Sequence, residues 1–228
     1  MNEVRTIVFD LDDTLYPERD YVLSGFAAVD AWLMEQKGIE GFGARAVAAF
    51  ERGVRGRIFD EVWAELGEQA VPVSHLVEVY RKHTPQLRLP EPARELLDWC
   101  RCRYRLALVS DGYLAVQERK VAALGLTQWI ECIVLSDQWG RDAWKPSERP
   151  FREVMARLPG EPESFLYLAD NPRKDFVAPK RLGWRTVRFR RPRGEHANYE
   201  ASPLEAAECE IADLSAMRDL LTRVSPST

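Results

Sequence analysis

The sequence contains few of the residues that form disulfide frameworks or zinc sites. Its 228 residues include four cysteines and three histidines, and the histidines are scattered along the chain. Cys100 and Cys102 are separated by one residue, a spacing that fits neither a zinc ligand pair nor a redox motif. We therefore predict reduced cysteines with structural roles.

Long hydrophobic runs and a strong excess of one charge are also missing. The formal net charge is −4, which gives no reason to expect nucleic acid or an acidic membrane surface as a partner. No apolar run is long enough to span a bilayer, and the first predicted strand begins by Val4, which leaves no room for a signal peptide. We expect a cytoplasmic protein, and either a monomer or a homodimer is compatible with the sequence.

What the sequence does contain is an apolar segment that ends in a cluster of carboxylates. Residues 7–9 lead directly into Asp10, and Asp12 and Asp13 follow. Because parallel sheets bind ligands at the carboxyl ends of their strands, these side chains are expected where chemistry takes place. Carboxylates this close repel one another unless a cation lies between them, which favours a divalent metal site. A solvated acidic turn is the alternative interpretation.

The spacing of apolar residues changes along the chain. After Leu15 it is typical of amphipathic helices, and from Pro90 strands alternate with helices. Because parallel strands need crossover connections, this alternation predicts an α/β fold with a doubly wound parallel sheet. We expect a Rossmann-like core at residues 1–15 and 89–228 and an all-helical inserted domain at 16–88. The predicted helices are 20–37, 43–52, 58–66, 74–83, 92–102, 114–124, 147–158, 173–182 and 213–224, and the later strands are 105–110, 132–135, 164–169 and 186–189.

Polar residues also follow later strands of the predicted sheet. They are Ser110, Asp111 and Gly112 after the second strand, Lys145 in a Trp-Lys-Pro loop, and Asp170 and Asp175 after the fourth strand. In their order and spacing, these segments and the first carboxylate cluster resemble the four signature motifs of the haloacid dehalogenase (HAD) superfamily. Most of its members are Mg²⁺-dependent phosphatases. The resemblance extends from residue 4 to about residue 190, and it implies that the helical insert is a cap over the active site.

The resemblance implies catalytic roles for three residues. Asp10 would be the nucleophile that forms an aspartyl-phosphate, since a carboxylate needs no base to activate it. Asp12 would protonate the departing alkoxide and then take a proton from the hydrolytic water. Lys145 would neutralise the nucleophile and the phosphate. An aspartate at position 12 favours a phosphatase over a dehalogenase, because a halide leaves without protonation. A phosphomutase and a non-catalytic binding protein are two further candidates with the same fold.

The expected substrate is a small phosphorylated metabolite, because a cap limits what can enter. Four residues are expected to contact it: Thr14, Ser110, Asp111 and Gly112. The Ser110 hydroxyl and the backbone N–H groups of Asp111 and Gly112 would bind phosphoryl oxygens, although a polar helix cap also explains the serine. The Asp111 side chain replaces the family's usual asparagine, which leaves its orientation open. The Thr14 hydroxyl is expected to orient Asp12.

Mg²⁺ is the cofactor that the resemblance implies. Its ligands would be the side chains of Asp170 and Asp10 and the backbone carbonyl of Asp12, a small set that suits an ion that retains several waters. Asp175 would bind a water on the metal or hold Lys145, and its alternative role is to cap the next helix.

Two groups of arginines have no role in these motifs. The arginine-rich stretch at residues 181–193 is interpreted as a solvated face, with binding of a polyanion as the alternative. In the helical insert, Arg52, Arg55 and Arg57 flank two glycines and could reach a second anionic group of the substrate.

Overall fold

The computed structural model describes residues 3–67 and 70–224, which form two compact units. The first unit combines the chain up to Glu18 with the chain from Arg88 onward, and the second is Arg19–Leu87. The second unit is helical and is inserted into the first. The roles of catalytic core and cap for these two units stay predictions.

The strands belong to the first unit, whereas helices occur in both. The strands are β1 (Thr6–Phe9), β2 (Arg105–Ser110), β3 (Cys132–Leu135), β4 (Phe165–Ala169), β5 (Arg185–Phe189) and β6 (Cys209–Ile211). The helices are α1 (Glu18–Lys37), α2 (Phe42–Glu51), α3 (Ile58–Leu66), α4 (Val73–Lys82), α5 (Glu91–Cys100), α6 (Leu114–Ala123), α7 (Arg149–Arg157), α8 (Val177–Arg181) and α9 (Ala216–Val224). Among the helices of the described residues, none combines the length and the hydropathy needed to span a bilayer.

The six strands form one sheet in the order β3-β2-β1-β4-β5-β6, and all neighbouring strands are parallel. β1 and β4 are buried along their whole length, as expected when helices cover both faces of a parallel sheet. The predicted α/β fold with a doubly wound parallel sheet is confirmed.

The strand order reverses at β1. Thr6 pairs with Arg105 of β2 on one side and with Phe165 of β4 on the other. In open α/β sheets, such a switch point forms the crevice in which ligands bind. Asp10 follows β1 and Asp170 follows β4, so the two carboxylates leave the sheet from adjacent strands.

Aromatic side chains fix β4 to the helical layer. Phe151 of α7 packs edge to face on Tyr167 and on Trp184, and Trp184 stacks on Phe165 with the ring centroids 4.8 Å apart. Each such pair adds about 0.5–1.5 kcal/mol beyond the burial of its area. Cys132 belongs to the same core and is unpaired, as are the other three cysteines.

The second unit has a hydrophobic core of its own. On α1, Phe26, Val29 and Leu33 recur at helical spacing and are buried against α2, α3 and α4. Tyr80 of α4 packs so closely on α1 that a Cβ atom at Gly25 would overlap its ring. The glycine therefore allows this helix pair to approach.

Most predicted elements agree with the structure to within two residues, but three differences concern the C-terminal half. α9 begins at Ala216, three residues later than predicted. The helix predicted over 173–182 is limited to Val177–Arg181. The Asn171 side chain accepts the N–H of Arg173, which closes a turn instead of a helix. β6 was not predicted, because three residues are too few to show an alternating pattern.

Candidate active site

Asp10, the residue after β1, is held by an ammonium group and a hydroxyl. Lys145 Nζ lies 2.5 Å from Asp10 Oδ1 and 2.7 Å from Asp175 Oδ1. It also donates a hydrogen bond to the Tyr167 hydroxyl at 3.0 Å. Thr14 Oγ1 donates to Asp10 Oδ2 at 3.4 Å. The lysine is thus fixed between two buried carboxylates.

The charges of this group are set by burial and by its ion pairs. Burial raises the pKa of Asp10 to about 6; Lys145 opposes this rise and Asp175 adds to it. Burial works against a charge on Lys145, but the carboxylates of Asp10 and Asp175 hold its pKa well above the usual value. At neutral pH the site therefore pairs an ionised Asp10 with a protonated lysine.

Three buried carboxylates, Asp10, Asp170 and Asp175, could hold a metal ion. Each offers an oxygen, and these oxygens lie within 4.8 Å of one another. Burial, followed by the charges of Asp175 and Asp10, raises the pKa of Asp170 well above its usual value. Although Asp175 Oδ1 is paired with Lys145, it accepts no hydrogen bond from the described residues. A compact, negative oxygen set of this kind fits Mg²⁺.

Charge balance among the acidic cluster and the carboxylate–lysine pairs of the site supports the same fit. Its carboxylates are Asp10, Asp12, Asp111, Asp170 and Asp175, and its ammonium groups are Lys120, Lys145 and Lys174. With all of these groups ionised, five negative charges face three positive ones, so two negative charges are left. One divalent cation would neutralise them.

Asp12 faces a separate set of donors. Lys120 Nζ lies 2.8 Å and 2.9 Å from the two oxygens of Asp12. The Tyr16 hydroxyl donates to Oδ1, and Gln117 Nε2 donates to Oδ2 at 3.1 Å. Burial by itself would raise the pKa of Asp12, but the Lys120 charge and the three donors hold it below its usual value. Both oxygens of Asp12 therefore accept hydrogen bonds from protein groups, and these hold the carboxylate in place.

Two side chains of α6, the helix that follows the turn after β2, contact Asp12. Gln117 and Lys120 are three residues apart on α6 and thus share a face of the helix. Gly112, in the turn before the helix, has φ 127°, and a Cβ atom there would overlap Gln117. Sequence reasoning missed both Gln117 and Lys120. Their signal is a Gln-x-x-Lys spacing on the helix after the Ser110 segment.

Both side-chain oxygens of Asp111 are taken up by protein groups. Oδ1 accepts hydrogen bonds from Ser136 Oγ at 2.6 Å and from the Lys145 backbone N–H at 3.2 Å, and Oδ2 accepts one from Lys174 Nζ at 3.1 Å. The Asp111 side chain, whose orientation the sequence leaves open, is thus directed toward Lys145 and Lys174. Phosphate binding by Ser110 and by the backbone of Asp111 and Gly112 stays a prediction.

The predicted role of Thr14 is wrong in one respect. Its hydroxyl donates to Asp10, not to Asp12, because Asp12 already has donors on both oxygens. The turn that carries Thr14 is fixed from the other side by Arg191, whose guanidinium donates to the backbone carbonyls of Asp13 and Thr14 at 2.8 Å and 2.9 Å.

Asp175 supports both Lys145 and its own loop. Besides the ion pair with Lys145, its Oδ2 accepts the backbone N–H of Asn171 at 2.9 Å. Phe176 occupies the cap position of α8, and no side chain caps that helix. The prediction that Asp175 holds Lys145 agrees with this geometry, and the helix-cap alternative is wrong.

The arginine-rich stretch is a solvated face only in part: Arg181 and Arg193 are exposed, but Arg188 and Arg191 are not. Arg188 is buried, donates to the carbonyls of His196 and Tyr199, and pairs with Glu210. Together with Arg191, it ties the segment after β5 to the sheet and to the turn after β1. Sequence reasoning could not see this, because the acceptors are mainly backbone carbonyls.

Two of the three arginines that flank the glycines of the helical insert have partners within the second unit. Arg55 donates to the carbonyls of Phe50 and Val54 and lies over the Phe50 ring, and Arg57 pairs with Glu61. Their contact with a substrate stays a prediction.

The fold and the site define an α/β protein with an acidic crevice at the switch point of its sheet. The chain belongs to the haloacid dehalogenase-like hydrolase family, whose profile matches residues 7–189. The family predicted from the four motifs is confirmed.

Curated proteins similar to this chain include several phosphatases. Glyceraldehyde 3-phosphate phosphatase of Methanopyrus kandleri is 26% identical over 208 residues, which cover 86% of this chain and 88% of that protein. Phosphoserine phosphatase of Thermus thermophilus is 29% identical over 146 residues, which cover 64% of this chain and 58% of that protein.

Solved structures with the same fold cover nearly the whole chain. The HAD-hydrolase YfnB from Bacillus subtilis, bound to magnesium, has a TM-score of 0.69 and 20% identity, and the match covers 96% of this chain and 99% of that chain. A 2-haloacid dehalogenase from Pseudomonas syringae has a TM-score of 0.66 and 19% identity, with 97% and 100% covered. At this level of identity, both comparisons show the fold alone.

Proposed function

We propose that this protein is a Mg²⁺-dependent phosphatase that hydrolyses a small phosphorylated metabolite through an aspartyl-phosphate on Asp10. The observation that carries the proposal is that two neighbouring carboxylates, Asp10 and Asp12, are paired with different lysines. Asp10 is paired with Lys145 beside the acidic cluster, and Asp12 is held by Lys120. The relatives named as phosphatases of glyceraldehyde 3-phosphate and phosphoserine support the same class of reaction and substrate.

In the first half of the reaction, a carboxylate oxygen of Asp10 forms a bond to phosphorus. The negative charge of the bound phosphate raises the pKa of Asp12, which is low without substrate, so that Asp12 carries a proton in the complex. The bond from phosphorus to the substrate oxygen breaks, and Asp12 donates this proton to the departing alkoxide. The protonated Lys145 balances the charge of the attacking carboxylate and of the phosphoryl oxygens.

In the second half, water forms a bond to phosphorus and the bond from phosphorus to Asp10 breaks. The electron pair of that bond stays on the Asp10 carboxylate, and Asp12 takes one proton from the water. The two halves return Asp12 to its starting protonation state, so one residue serves as acid and then as base.

The residues that would hold Mg²⁺ are Asp10, Asp170 and the backbone carbonyl of Asp12, with Asp175 close by. When bound, the ion supplies positive charge beside the phosphoryl group as negative charge develops there. Its fit rests on the oxygen set and on the two uncompensated negative charges of the site.

A dehalogenase is the second candidate of the same family. One observation speaks against it: Asp12 is held by three side chains, and a departing halide would need no proton donor. A phosphomutase would form the same aspartyl-phosphate but would pass the phosphoryl group to a second substrate. Release of inorganic phosphate separates a phosphatase from both.

The experiment is a screen of phosphorylated metabolites with Mg²⁺ and with a chelator, on the wild type and on Asp10→Asn. An amide cannot attack phosphorus, so we expect Asp10→Asn to retain less than about one per cent of wild-type turnover. Asp142→Asn, an exposed aspartate of the first unit, is the matched control and should retain full activity. In the wild type, acid-quenched samples should carry phosphate on the peptide that contains Asp10. Full turnover in excess chelator, or by the Asp10→Asn variant, would overturn the proposal.

A further inference from the structure

We propose that Lys120 is a positioning residue that holds Asp12 for hydrolysis of the aspartyl-phosphate. The inference rests on the proposed function, and it adds a residue outside the four motifs. Lys120 would act through Asp12, which exchanges protons with the leaving group and with water.

The contact between Lys120 and Asp12 is a buried ion pair in which the ammonium group binds both carboxylate oxygens. The Lys120 side chain is 3% exposed, and its ammonium lies within 2.9 Å of both oxygens of Asp12. Burial of an ammonium group is unfavourable unless it is paired with a carboxylate at short range. An exposed position on α6 would avoid this desolvation, so the inward orientation points to a use for the pair.

Lys120 differs from the other two partners of Asp12 in how it holds the carboxylate. Tyr16 donates to Oδ1 and Gln117 donates to Oδ2, whereas Lys120 contacts both oxygens. A contact to both oxygens fixes the plane of the carboxylate as well as its place. Without Lys120, each oxygen keeps a single donor, Tyr16 on Oδ1 and Gln117 on Oδ2, so the plane of the carboxylate is held less firmly.

The second half of the reaction depends most on this orientation. Water forms the bond to phosphorus, the bond to Asp10 breaks, and Asp12 must accept the water proton as this happens. With p-nitrophenyl phosphate, the leaving group departs without a proton, so the first half does not need Asp12. Loss of Lys120 should therefore slow the second half selectively with this substrate.

The test measures single-turnover and steady-state kinetics with p-nitrophenyl phosphate and Mg²⁺, using the full chain. We expect Lys120→Met to release the first equivalent of nitrophenol within about threefold of the wild-type rate. Steady-state turnover should fall by about 10- to 100-fold, the effect of a misplaced catalytic group. Phosphate should accumulate on the Asp10 peptide, and Asp12→Asn should give the same pattern.

Three variants separate positioning from general damage. Arg119→Met removes a cation from the position of α6 that precedes Lys120, and it should leave both the burst and steady-state turnover unchanged. Lys120→Arg keeps the charge and two donors, and should restore steady-state turnover to within about threefold. Lys120→Gln keeps one donor and should be intermediate.

Equal losses in the burst and in steady state would overturn the proposal, as would unchanged turnover in Lys120→Met. If Lys120→Met and Lys120→Gln both fail to fold, Lys120 is needed for stability and the positioning role is rejected. These outcomes differ from failure of the proposed function, in which the wild type itself would release no phosphate and carry no label on Asp10.

Discussion

Asp170 is a carboxylate that the protein alone compensates poorly. Burial and the charges of Asp175 and Asp10 raise its pKa well above its usual value. A carboxyl group with a raised pKa stabilises the fold at low pH, and this contribution is lost as the pH rises through the raised value. The metal-free protein at pH 7.5 therefore bears part of this repulsion.

Removal of one charge at this position should stabilise the metal-free fold. We expect Asp170→Asn to raise the free energy of unfolding in chelator at pH 7.5 by about 1 kcal/mol, or roughly 3 °C in Tm. Mg²⁺ should raise the Tm of the wild type but not that of Asp170→Asn, because an amide is a poor ligand. Thermal unfolding by circular dichroism measures both effects, with Asp142→Asn as the control. A variant that keeps the full response to Mg²⁺ would contradict the assignment of Asp170.

The site residues that could be named from the sequence share a simple signal. Asp10, Asp170 and Asp175 follow apolar strands, and a strand end in a parallel sheet places its next residues at the crevice. Lys120 gives no such signal, since a lysine on the polar face of a helix is usually solvated. Only the packing of α6 against β3 and the segment that follows it turns that part of the face toward Asp12, and this packing is a tertiary property.

At the scale of elements, the segment after β5 acts as a brace for the turn after β1. Arg191 donates to the carbonyls of Asp13 and Thr14, and the Asp13 side chain accepts the N–H of Glu195 in return. Asp13 has φ 52°, in the left-handed region, so the turn needs external contacts to keep its shape. The brace therefore helps to fix the turn that follows Asp10 and begins at Leu11, next to Asp12.

Arg191→Met should weaken this brace without unfolding the protein. We expect a loss of about 1–2 kcal/mol in the free energy of unfolding, from two charge-assisted hydrogen bonds, and a fall of about tenfold in kcat. Arg193→Met is the matched control, since Arg193 is exposed in the same segment, and it should change neither quantity. Steady-state kinetics and urea unfolding provide the measurements. Wild-type kcat in a folded Arg191→Met protein would show that the turn keeps its shape unaided.

Elements with a long periodic pattern were predictable, and elements defined by their partners were not. β2 and β3 were predicted with the bounds that they have, because apolar runs of strand length are bounded by turn residues. α8 is shorter than predicted, because its first turn is replaced by the loop that carries Asp175. The three residues of β6 are a strand only because β5 pairs with them.

At the scale of the whole molecule, the motif residues and the insert lie in different units. Asp10, Asp12, Lys145, Asp170 and Asp175 all belong to the first unit, and the helical unit has a hydrophobic core of its own. A cap role for the helical unit is our proposal. It rests on the site's need for a dry environment in which Asp12 and Lys145 act strongly.

Replacement of residues 19–87 by a short linker tests this role. We expect a folded core that still binds Mg²⁺ and hydrolyses p-nitrophenyl phosphate, since the motif residues are retained. Discrimination among phosphorylated metabolites should be lost, together with most of the rate on the preferred one. Gel filtration must first show a soluble monodisperse core, because any apolar surface that a deletion exposes promotes aggregation. An unchanged ranking of substrates would rule out a role for the insert in specificity.

The central place of β1 determines when, during synthesis, a working site can exist. Its residues are made well before those of its two neighbours, β2 (Arg105–Ser110) and β4 (Phe165–Ala169). Until β2 and β4 have been synthesised, the backbone groups at both edges of β1 are unpaired. An apolar strand in this state favours aggregation and association with chaperones. A product that ends before β4 would keep Asp10 and Asp12 but would leave one edge of β1 open. If translation ends in that interval, the released chain therefore exposes an open edge of β1, and this edge favours aggregation.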